Sequence, residues 1–123
     1  MISLKELNSH AYPTTPEIDN NLNTLLERIN KIREAWGKPM TITSGLRSQA
    51  DQQRINPKAP KSNHLIGAAV DIEDKDGSLA QWNQDNVKLL ESVGLWCEHP
   101  DNTPGWEHYQ IYPPKSGNRF FHP

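Results

Sequence analysis

Ile18, Leu22, Leu25, Leu26, Ile29, Ile32 and Trp36 recur at spacings of three and four, and that recurrence constrains the fold more than any other feature of the chain. Residues so spaced share one stripe of an α-helix. Thr15-Pro16-Glu17 precedes the stripe with a hydroxyl N-cap, a proline at the first helical position and an acid in the first turn, and Gly37 follows its last turn. The pattern predicts a helix over about 16–36 whose apolar stripe packs on a sheet. With 123 residues, 34% of them hydrophobic, the chain has material for one small core inside a loop-rich shell. One domain over 1–123 is therefore expected, with 1–14 as an irregular lead-in holding a possible first turn at Ser3, and 113–123 as a polar loop tail.

Strand signals lie on either side of a proline-rich loop. Met40-Thr41-Ile42-Thr43 alternates with period two, and Ser44-Gly45-Leu46-Arg47 turns the chain away from it. Ser48, with Asp51 three residues on, starts a short helix over about 48–55, and Asn56-Pro57-Lys58-Ala59-Pro60-Lys61 is irregular surface loop. Ala68 to Ile72 is a second strand, and Glu73 to Gly77 a charged turn. Ser78 then caps a second long helix with Leu79, Trp82, Asn86, Leu90 and Val93 on one side and Gly94 as its stop. Leu95 to Glu98 and Trp106 to Ile111 are the arms of a hairpin. The sum is an α+β fold with a small central antiparallel sheet flanked by helices.

Charge and cysteine content exclude several classes. A net charge of −2 provides neither the basic face that nucleic acid needs nor a polybasic membrane patch. No segment is long and apolar enough to span a membrane, and Met1 to Leu7 carries Glu6 among its apolar residues, unlike a signal peptide. The one cysteine, Cys97, rules out an internal disulfide framework and a cysteine-rich zinc site. Synthesis in a cytoplasm and a monomeric state are the expectations.

The residue types that carry chemistry converge on a metal. In Ser62-Asn63-His64-Leu65-Ile66-Gly67-Ala68-Ala69-Val70-Asp71 a histidine and an aspartate stand seven apart, joined by small and apolar residues, and Trp106-Glu107-His108 adds a second imidazole. Two imidazoles and a carboxylate make a three-ligand zinc site with a fourth position for water. Strand parity puts Asp71 on the face of Ala69, opposite Val70 and Ile72. A hydrolase built on such a site also needs a base. Glu107 faces away from its neighbour His108, whereas Glu98 ends the partner strand and comes beside it; Asp101, in the loop between, is an alternative. Arg47 suits a substrate carboxylate, and Ser62 and Gln53 are further polar contacts. Trp106 is expected to line the cleft, Cys97 to be core, and His10, His99 and His122 to be surface histidines.

Ser62-x-His64-x-x-Gly67-x-Ala69-x-Asp71, preceded by Ser44-Gly45-x-Arg47 and followed by Trp106-x-His108, resembles the D-alanyl-D-alanine carboxypeptidase-like zinc peptidases, peptidase family M15, and more narrowly their short single-domain phage and bacterial members. The resemblance runs from about Ile42 to Ile111. It implies an α+β fold shared with the Hedgehog signalling domain, one zinc ion held by His64, Asp71 and His108, a substrate-binding arginine at Arg47 and a catalytic acid. Many members place that acid three residues before the last histidine, where this chain has Gly105; short relatives place it in a Glu-x-Pro pattern, here Glu98-His99-Pro100. The implied substrate is the peptide stem of peptidoglycan, cut as a carboxypeptidase or as an endolysin-type endopeptidase, with release by lysis or carriage on a virion as the route to the wall. A non-catalytic zinc-binding virion or interaction module of the same fold is the alternative, and a metal-free structural protein a third.

Overall fold

The computed structural model describes residues 1–123. The elements in chain order are α1 (Leu4–Leu7), α2 (Pro16–Trp36), β1 (Ile42–Ser44), α3 (Gln49–Ile55), a 3-10 turn (Asn63–Ile66), β2 (Ala69–Glu73), α4 (Ser78–Asp85), α5 (Val87–Val93), β3 (Trp96–Glu98), a second 3-10 turn (Pro100–Asn102), β4 (Trp106–Gln110) and β5 (Phe120–Phe121). The strands form one five-stranded sheet in the order β1-β2-β4-β3-β5. All its pairings are antiparallel except β3 with β5. The expected α+β architecture is present.

Local sequence accounts for α2. Thr15 Oγ1 accepts from the Ile18 N–H, Pro16 opens the first turn, and Gly37 closes the helix at φ 74°. Leu22, Leu25, Ile29 and Ile32 are buried against Val70, Ile72, Cys97 and Tyr109 in one cluster, while Ile18, Leu26 and Trp36 flank it. The lead-in is more ordered than expected. Ser3 and Glu6 form a reciprocal capping box around α1, and Asn30 bonds both the N–H and the carbonyl of Ile2, so the N-terminus is pinned along α2.

Four other expectations are corrected. The predicted second long helix is two, because Asn86 leaves helical geometry at φ −121°, ψ 35° and turns its side-chain amide back to the Trp82 carbonyl. Ser78 is not its cap. Gly77 occupies that position, and the buried Asp74 carboxylate accepts from the Leu79 and Ala80 N–H groups from outside the helix. The tail is not all loop: Phe120 and Phe121 pair in parallel with Cys97 and Glu98, adding β5 to the sheet. The strand expected at 40–43 lies at 42–44, where β1 bulges so that Ile42 faces Ile72 and Ser44 faces Asp71. A bulge bends a strand and re-aims the residues beyond it; here it turns Ser44-Gly45-Leu46-Arg47 over Asp71.

The register separates two chemistries across the sheet. Val70, Ile72, Cys97 and Tyr109 face the helices, and Glu107 joins them. Asn83 Nδ2 donates to Glu107 Oε2, and the Tyr109 hydroxyl donates to Asn83 Oδ1, while Glu107 Oε1 has no partner. Burial, with the nearby Asp74 charge adding to it, pushes the Glu107 carboxyl up to about 7. Its folded-state value is raised, so its favourable contribution is complete below the ordinary carboxyl range and is lost as pH rises through about 7. Replacing Glu107 by glutamine keeps an acceptor for Asn83 and removes the buried charge. At pH 8 Glu107→Gln is expected to be more stable than the parent by about 1–3 kcal/mol in urea denaturation of metal-free protein, with the gain vanishing toward pH 4.5.

Candidate metal centre

Asp71 and His108 are cross-strand partners at the middle of β2 and β4, so their side chains emerge side by side on the face away from the helices. His64 reaches the same point from the 3-10 turn, which is capped by Ser62, whose Oγ accepts from the His64 N–H, and closed by Gly67 with φ 73°. A Cβ at Gly67 would lie 2.8 Å from Leu22 Cγ, so glycine serves both the left-handed backbone and the close approach to α2. Gly67→Ala is expected to cost about 2 kcal/mol or more in urea denaturation, since the left-handed penalty and the clash add.

The donor atoms of His64, Asp71 and His108 lie within 4.8 Å of one another, and all three residues are buried. Asp71 Oδ1 is 3.3 Å from His64 Nε2 and 2.9 Å from His108 Nδ1. The outer bonds fix which nitrogens face it. His64 Nδ1 lies 2.8 Å from the Gly45 carbonyl, which can only accept, so that nitrogen carries the proton. Gly45 itself has no room for a side chain, because a Cβ there would sit 2.2 Å from the Leu7 carbonyl oxygen. His108 Nε2 donates to Gln110 Oε1 at 2.8 Å, the amide being oriented by its N–H bond to the Tyr112 carbonyl. The two remaining imidazole lone pairs thus converge with a carboxylate oxygen, and a proton or a metal ion has to lie between them. Two imidazoles and one carboxylate suit zinc, and histidine ligands held by outer acceptors are the usual arrangement of such sites.

Electrostatics follow from this packing. Burial alone would raise Asp71, but hydrogen bonds from His108 and His64 and their charges hold it well below the usual carboxylate range. Burial pushes His64 down. It acts on His108 the same way, yet the hydrogen bond and charge of Asp71, with Glu98, keep that imidazole above its ordinary value. Glu98 extends from the end of β3 onto this face, with Oε1 3.8 Å from His108 Nδ1. Burial, aided by the Asp71 charge, raises its carboxyl against the pull of His108 and Arg47.

Arg47 is engaged from three sides: Nη2 with Asp71 Oδ2 at 3.1 Å, Nη1 with Gln52 Oε1 at 3.0 Å and Nε with Ser44 Oγ at 2.8 Å. One N–H on each Nη remains for a ligand. The centre opens into a cleft of about 950 Å³ whose walls include Arg47, Ser62, Glu98 and Trp106. Beyond Asp71 a second recess of about 480 Å³ shares Arg47, Asp71 and Trp106 and extends to Thr43, Ser44, Glu73 and Lys75.

Two candidate residues fall outside this space. Gln53 is exposed and does not line the cleft; Gln52, one residue earlier on α3, is buried there instead. Asp101 is exposed and its carboxylate lies beside His99, away from the centre. The tail was missed altogether: Pro113 to Ser116 and Phe121 to Pro123 form one wall of the cleft, including His122, whose ring stacks on His99. A two-residue parallel strand leaves no alternation by which to find it.

No curated protein sequence matches the chain. The crystal structure of Serratia marcescens L-Ala D-Glu endopeptidase ChiX shares the fold with a TM-score of 0.50 and 21% identity, over 86% of this chain and 95% of that one. The family model for peptidase M15 matches residues 2–97, which include Arg47, His64 and Asp71. The chain therefore belongs to the peptidase M15 family.

Proposed function

We propose that this protein is a zinc-dependent endopeptidase that hydrolyses amide bonds within the peptide stems of peptidoglycan. The observation that carries the endopeptidase reading is that Asp71, with Arg47 and Trp106, lines both the main cleft, which holds the whole His64-Asp71-His108 centre, and the second recess beyond it. A peptide lying across the centre then has room on both sides of the bond to be cut. Removal of a terminal residue needs a cation to take its carboxylate, and the charge of Arg47 is already met by Asp71 at 3.1 Å, which leaves its two free N–H groups for a neutral peptide backbone. The activity in the name of the Serratia structure, an L-Ala D-Glu endopeptidase, supports the same substrate class.

His64, Asp71 and His108 would hold the metal, which when bound supplies a Lewis acid for the scissile carbonyl and acidifies water. Glu98, raised by burial and beside His108, takes the proton of the attacking water and passes it to the departing amine. The two free N–H groups of Arg47, with Ser62 and Trp106, orient the peptide backbone along the cleft.

Digestion of purified muropeptides, with mass spectrometry of the products, tests the bond. Fragments from internal cleavage are expected. Loss of a single terminal residue from every stem would contradict the endopeptidase reading.

A further inference from the structure

We propose that Gln110, Tyr112 and Asn21 form a positioning strap that fixes which nitrogen of His108 meets the metal and ties that histidine to the turn carrying His64. The inference rests on the metal reading of the site above and adds residues that are not themselves metal ligands.

Gln110 comes two residues after His108 on β4, so both side chains stand on the cleft face of the strand. Its amide is buried and used at both ends: Oε1 accepts from His108 Nε2 at 2.8 Å, and Nε2 donates to the Tyr112 carbonyl at 2.8 Å. Tyr112 then turns to α2, where its hydroxyl donates to Asn21 Oδ1 at 2.6 Å. Asn21 is a buried polar residue beside Leu22 and Leu25 on α2, a position that would be costly without partners. Its Nδ2 donates to the Ile66 carbonyl at 2.9 Å, at the end of the turn that holds His64. One connected path therefore runs from the outer nitrogen of His108 to the backbone behind His64.

The path has a directional consequence. Gln110 Oε1 can only accept, so it holds the proton on His108 Nε2 and leaves the ring lone pair on Nδ1, toward Asp71. A half-turn of the ring would put Cδ2 toward Asp71 and Cε1 toward Gln110 and forfeit both contacts. Without Gln110 the ring loses that hold. Outer partners of metal-binding histidines carry 10–100-fold in metal affinity.

Zinc affinity by competition with a chromophoric chelator, read together with long-range 15N–1H spectra of the histidine rings, tests the strap. Gln110→Leu is expected to weaken zinc binding by about 10–100-fold and to lose the uniform Nδ1 coordination of His108. Gln110→Glu, which keeps the acceptor, is expected to restore most of that loss. Tyr112→Phe, which leaves the Gln110 contacts in place, is expected to weaken zinc by a smaller factor. Unchanged affinity and unchanged ring spectra in Gln110→Leu and Tyr112→Phe, even with a lowered melting temperature, would overturn the proposal. If the parent protein itself takes up no zinc, the proposed function fails, and the strap is read on the metal-free protein. There an exchange-protected His108 Nε2–H, lost in Gln110→Leu, supports the strap, and its absence from the parent overturns it.

Discussion

Glu98→Gln is expected to lower turnover on wall peptides by about 10²–10⁴-fold while leaving bound zinc unchanged. Glu98 is the acid that the sheet brings onto the face of His64, Asp71 and His108, with Oε1 3.8 Å from His108 Nδ1. Burial raises its carboxyl toward the range in which a group both accepts and returns a proton. The two neighbouring acids are separated from it by geometry. Glu107 lies on the opposite face, bonded to Asn83, and Asp101 is exposed outside the cleft. Asp101→Asn is accordingly expected to retain nearly full activity. The glutamine is isosteric and cannot take the proton, so parallel assays of zinc content and product formation separate a lost base from a lost metal. Full turnover in Glu98→Gln would remove Glu98 from the chemistry.

Asp71→Ala is expected to abolish stoichiometric zinc binding and to destabilise the metal-free protein by about 3–5 kcal/mol. The two losses have different origins in one carboxylate. Oδ1 faces His64 Nε2 and His108 Nδ1, and Oδ2 pairs with Arg47 Nη2 at 3.1 Å. The side chains of Asp71 and Arg47 are each only 10% exposed, so solvent replaces little of the lost partner. Removing one member of such a pair leaves the other charge buried and uncompensated, which costs far more than deleting a surface ion pair. Equilibrium urea unfolding in the presence of chelator isolates this part from the metal's own contribution. A cost below about 1 kcal/mol would mean that Arg47 is hydrated or finds another partner.

The parts of the molecule legible in the sequence are those whose signals are short-range. Thr15-Pro16 and Gly37 bound α2 because capping is local, and the spacing of Leu22, Leu25, Ile29 and Ile32 reports the helix period directly. Strand parity separates Asp71 from Val70, and Glu107 from His108, for the same reason. The features that escaped depend on distant partners. The parallel pairing of Phe120-Phe121 with β3 is decided by the sheet edge, and with it the whole C-terminal wall of the cleft. Gln52 and Gln53 differ only by a rotation of α3, a seven-residue helix with too few apolar positions to set its phase. The break at Asn86 competes with an apolar pattern that continues across it, and a side-chain bond to the Trp82 carbonyl decides the outcome. The pairing of Arg47 with Asp71 requires the bulge in β1, which no local motif announces.

Zinc content and hydrolysis, measured together on one purified sample, test whether His64, Asp71 and His108 form a working metallopeptidase centre. One equivalent of zinc per chain is expected, with cleavage of peptidoglycan stem peptides that a chelator stops and zinc restores. Zinc without cleavage of any stem peptide would contradict the peptidase reading. No zinc after reconstitution would contradict the metal centre itself.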